Sequence, residues 1–111
     1  MTYFSAWIER LPPGQSDPDP SVHNPNKDVF KSGLSGDLQR PGILVGPLRD
    51  WANTQGAPIR GFDNCFIRVE VSAEQLRHFL RNGSELGQEC IEAIERDIIS
   101  ADRYVIVAEE F

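Results

Sequence analysis

Hydrophobic positions along this chain fall into two regimes. From residue 66 onward they recur with clear periods, whereas between residues 11 and 42 proline and glycine break every pattern. Phe66 to Val71 alternates Ile67, Val69 and Val71 with Phe66, Arg68 and Glu70, the period of two that marks a half-buried strand over 66–71. Ser72 then opens a helix over 73–81. Gln75 stands at its N3 position to complete a capping box, and Val71 and Leu76 are placed to form a hydrophobic staple. Leu76, Phe79 and Leu80 make the apolar stripe, and Asn82-Gly83 supplies residues that tolerate a turn. With Ser84 as its cap, a second helix is expected over 85–99, carrying Leu86, Cys90, Ala93, Ile94 and Ile98 at helical spacing. The final run, around YVIVA at 104–108, is β-prone and apolar on both faces, which predicts a central strand over 103–109.

The first half is less regular. TYFSAWIER predicts a strand over 2–10 with apolar groups on both faces, so it belongs inside a sheet. Pro12, Pro13, Pro18, Pro20, Pro25 and Pro41, with Gly14, Gly33, Gly36 and Gly42, then define a long loop over 11–42. Asp28-Val29-Phe30 is the segment that could pin it to the core. Ile43-Leu44-Val45 is a candidate fourth strand at 43–45, and PLRDWANT (47–54) a short helix with Pro47 at its first position. The expectation is one α+β domain spanning 1–111. It has a small sheet of three or four strands, two helices of the second half on one face, and the long loop.

Charge changes this picture by being unevenly placed. The chain has 111 residues, 11 Lys+Arg, 17 Asp+Glu and a net charge of −6. Residues 1–60 carry six acids and six bases, so the entire excess lies in residues 61–111. An acidic chain is a poor match for polyphosphate backbones, so nucleic acid is not expected as the main partner. No apolar run reaches the roughly 20 residues of a membrane span, and the opening MTYFSAW lacks the pattern of a secretory leader. Two cysteines without close spacing fit a reducing, cytoplasmic setting.

Candidate chemistry is sparse. Cys65, Cys90, His23 and His78 lack the paired spacing of a zinc site, so neither metal nor cofactor is expected. Cys65 and His78 flank one strand and form the nearest approach to a thiol–imidazole pair, though no nucleophile motif surrounds them. The loop offers His23, Lys31, Asp37 and Arg40 around SGLSGD, a ligand-binding alternative in which the loop acts as a lid. Glu85, Glu89 and Glu92 fall at i, i+4 and i+7 and would form one ridge on the second helix, near Glu74, Glu95 and Asp97. Such a ridge suits either a plain solvated face or a docking surface for a basic partner. Trp51, if exposed, would serve as an anchor beside it.

These residues favour binding over catalysis. The expectation is a small acidic module that docks a basic partner protein, of inhibitor or immunity type. The alternative is a small enzyme or ligand-binding domain using the 11–42 loop. A third possibility is self-association through 104–108 as a sheet edge.

Overall fold

The computed structural model describes residues 3–11, 28–35 and 42–111. These form strand β1 (Phe4–Leu11), strand β2 (Val29–Lys31), helix α1 (Val45–Gln55), strand β3 (Ile59–Phe62) and strand β4 (Phe66–Ser72). Helix α2 (Ala73–Asn82), helix α3 (Gln88–Asp97) and strand β5 (Arg103–Glu110) follow. The five strands make one antiparallel sheet in the order β2-β1-β5-β4-β3. The fold is thus α+β, with two more strands and one more helix among the described residues than the minimal expectation.

The apolar last strand lies at the centre, as its composition requires. Residues 104–108 are buried, with β1 and β4 paired along their two edges and side chains packed over both faces. That placement removes the idea of self-association through this strand as an edge. On one face, Ala6 and Ile8 of β1, Tyr104, Ile106 and Ala108 of β5, and Ile67, Val69 and Val71 of β4 form a continuous core. Leu48 and Trp51 of α1, Leu76, Phe79 and Leu80 of α2, and Ile91 and Ile94 of α3 cover it. Burying large aliphatic side chains contributes about 1.5–3 kcal/mol each, so this layer dominates stability. The opposite face groups Leu11, Val105 and Val107 with Trp7, interleaved with charged side chains.

Helix α2 starts as its sequence signals. Ser72 Oγ accepts from the Gln75 N–H (3.1 Å), and Gln75 Oε1 accepts from the Ser72 N–H (3.0 Å). Helix α3 does not start where expected. The Ser84 hydroxyl turns back to donate to the Leu80 carbonyl (2.6 Å), closing α2 instead of opening α3. The Glu85 N–H donates to the Gly42 carbonyl (2.8 Å), which holds this segment extended until Gly87 caps α3. A Cβ on Gly42 would meet the Leu34 carbonyl oxygen and the Leu86 side chain at 2.2–2.3 Å, so only glycine permits this approach.

The strand expected at 43–45 is replaced by the entry to α1, and Pro47 is the third helical residue, not the first. The cause is a tertiary cap: Glu110 Oε1, at the end of β5, accepts the Val45 N–H at 3.1 Å. A carboxylate there satisfies an orphan donor and faces the positive end of the helix dipole. Gly56, with φ 68°, closes the helix in the left-handed region. Residues 12–27 and 36–41 of the expected loop lie outside the described residues. The remainder includes β2, where Phe30 packs on Tyr104 at 5.0 Å and under the Arg10 guanidinium at 4.9 Å, the anchoring expected of it.

Glu110→Ala is expected to lower stability by about 0.5–2 kcal/mol, and Glu110→Gln, which retains an acceptor, by less. Urea denaturation of the three proteins measures the difference.

Candidate functional site

Two polar constellations stand out, one on each side of the sheet. The first lies on the face without described helices. Register places Trp7 opposite Val107 and Glu9 opposite Val105 on one flank of β5. Arg68 lies opposite Val107 and Glu70 opposite Val105 on the other. Arg68 therefore reaches diagonally over β5 to Glu9. Its Nη2 donates to Oε1 at 2.7 Å and its Nη1 to Oε2 at 3.0 Å, with side-chain exposures of 0% and 2%. The Trp7 indole N–H donates to the same Glu9 Oε2 at 2.7 Å. Next to this pair, buried Glu70 accepts from Arg60 Nε on β3 (2.6 Å) and Arg103 Nε on β5 (3.2 Å).

Sequence alternation assigns Arg68 and Glu70 to the solvent side of a half-buried strand, and the structure corrects this: both are buried. The signal was indirect. Glu9, Arg68 and Glu70 all sit within runs of β-branched and aromatic residues, but only register reveals that they meet. A bidentate pair of this kind compensates the large cost of removing two charges from water.

The second constellation lies between α2 and α3, a cleft of about 670 Å³ lined by Arg81, Glu89, Glu92, Glu95 and Arg96. Arg81 Nη2 pairs with Glu95 Oε1 at 2.7 Å, and Gln88 Nε2 donates to Glu92 Oε1 at 3.0 Å. The expected three-glutamate ridge is shortened here. Glu85 precedes the helix and lies beside a smaller cleft with Leu86 and Cys90, leaving Glu89 and Glu92 as the helical part. At the other end of α3, Asp97 Oδ2 meets Lys31 Nζ of β2 at 2.5 Å. The Lys31 hydrogen bond, then its charge, hold the Asp97 carboxyl below its ordinary value of 3.8.

The remaining candidates are dispersed. Trp51 is 8% exposed and packs edge-on against Phe79 at 5.1 Å, so it is a core residue and not a surface anchor. Its indole N–H donates to His78 Nδ1 at 3.1 Å. His78 is thereby tied to α1, while Cys65 is exposed in the β3–β4 turn, where its N–H donates to Asp63 Oδ1 at 2.6 Å. No hydrogen bond joins Cys65 to His78 among the described residues. Of the loop set, Lys31 is engaged by Asp97, and His23, Asp37 and Arg40 lie outside the described residues. No group of three His, Cys, Asp or Glu among the described residues could hold a metal ion, and no helix among them is long and apolar enough to cross a membrane. No protein-family model matches the chain, and comparison with curated proteins and with solved structures found no significant match.

Glu9→Gln is expected to destabilise the protein by about 3–5 kcal/mol, because it leaves Arg68 charged and underpaired in the interior. The double variant Glu9→Leu/Arg68→Met should lose less than the sum of its single changes, as a double-mutant cycle in urea would show. The Asp97–Lys31 tie follows the depressed-carboxylate sign: its stabilisation is complete above 3.8 and is lost as pH falls through the lower folded value. Asp97→Asn should therefore melt below wild type at pH 7, and the two melting temperatures should converge in acid.

Proposed function

We propose that this protein is an acidic protein-binding module that docks a basic surface of its partner through the α2–α3 side. One contrast supports the reading. Glu95 and Asp97 are engaged by Arg81 and Lys31, whereas Glu85, Glu89 and Glu92 are exposed and carry no ion pair among the described residues. Carboxylates that are not internally neutralised keep their field for an approaching cation, which speeds encounter and selects complementary partners. The narrower form is an inhibitor or immunity-type protein that covers a basic active site. Arg81 and Arg96 border the same cleft and would set the register of a partner that carries both signs of charge.

The test combines cross-linking in the source cell with kinetics on the purified partner. Glu85→Lys/Glu89→Lys/Glu92→Lys should slow association by about tenfold or more while leaving dissociation less affected. Raising salt should slow the wild type but not the variant. Equal association rates for both proteins would remove the α2–α3 side as the contact surface. An inhibitor should in addition abolish its partner's activity at equimolar ratio.

A further inference from the structure

The group formed by Arg60, Glu70 and Arg103 has a feature that stability alone does not require. Strands β3 and β4 pair Ile59 with Val69 and Gly61 with Arg68, so Arg60 is an extra residue in a β-bulge. Bulges re-aim a side chain, and this one directs Arg60 to the buried Glu70 carboxylate. Arg103 reaches the other oxygen of that carboxylate from β5. Each arginine engages Glu70 through Nε, and among the described residues its terminal Nη nitrogens have no partner. The two side chains are 40% and 37% exposed, while Glu70 is 2% exposed. One buried carboxylate thus holds two half-exposed guanidinium groups side by side, with two positive charges against one negative.

We propose that Arg60 and Arg103 form a binding site for a phosphate group, with Glu70 as the positioning residue. A guanidinium matches an oxyanion by presenting parallel N–H donors, and orienting it beforehand reduces the side-chain entropy lost on binding. A flat carboxylate can take both of its oxygens to one guanidinium fork, as Glu9 does with Arg68. A tetrahedral phosphate offers oxygens in several directions and can accept from two guanidinium groups at once. The site lies on the sheet face that carries Glu70, Arg68 and Glu9, opposite the face that α3 covers.

The test is a titration of the purified full chain with inorganic phosphate, phenyl phosphate and acetate at constant ionic strength, followed by amide NMR. The expected result is saturable shifts at residues 59–61 and 103 with either phosphate, and weaker binding of acetate. Inorganic phosphate binding more tightly supports a free-ion ligand, and phenyl phosphate binding more tightly supports a phosphate ester. Arg60→Lys and Arg103→Lys, which retain charge but lose the fork, should each weaken binding by about tenfold. Glu70→Gln should weaken it while both arginines remain. Lysine variants that bind as tightly as wild type, shifts that do not saturate, or acetate binding equally well would each overturn the proposal. The Glu85/Glu89/Glu92 reversal should leave phosphate binding unchanged, which separates this site from the docking surface.

Discussion

The structure depends on the seating of β5 between β1 and β4. Those two strands do not pair with each other, and each is bonded along its length to β5. Without it the sheet separates into a β1–β2 pair and a β3–β4 hairpin, and two-stranded units are marginal in water. The last strand therefore closes the sheet, and it does more than bridge it. Tyr104 accepts the Ile99 N–H through its hydroxyl, Glu110 caps α1, and Arg103 helps to satisfy Glu70. Much of what surrounds the sheet is oriented by one eight-residue strand.

The two faces of that strand set different chemistry. Tyr104, Ile106 and Ala108 enter the helix-covered core, while Val105 and Val107 form the floor beneath the Glu9–Arg68 pair. Their short β-branched side chains let Arg68 cross from β4 to β1. Charges that would be prohibitive in isolation are tolerated because each buried carboxylate meets at least one guanidinium. The buried ion pairs thus lie on the open sheet face, whereas Glu85, Glu89 and Glu92, exposed and without an ion pair among the described residues, lie on the helical side.

Much of the fold was legible because its signals are local. Alternation identified β4, a β-prone run apolar on both faces identified β5, aromatic density identified β1, and the Ser72–Gln75 box identified the start of α2 to the residue. The errors have physical causes as well. Ser84 resembles a cap, but its hydroxyl turns back to Leu80, so α3 begins later and Glu85 leaves the ridge. β3 gives no alternation signal because it is short, contains Gly61 and is bulged. The 43–45 segment reads as a strand until the distant Glu110 is known to cap it as a helix.

The amino-acid sequence by itself determined the periodic elements, the central position of the last strand and the acidity of the second half. These follow from side-chain periodicity, from the continuous apolar run of 104–108 and from composition alone. Only the tertiary structure decided where the charges go. Glu9 and Arg68 are 59 positions apart, and Val45 and Glu110 are 65 apart. Pairs at such separations are created by strand register, which depends on the packing of the whole sheet and leaves no mark in any local window of sequence.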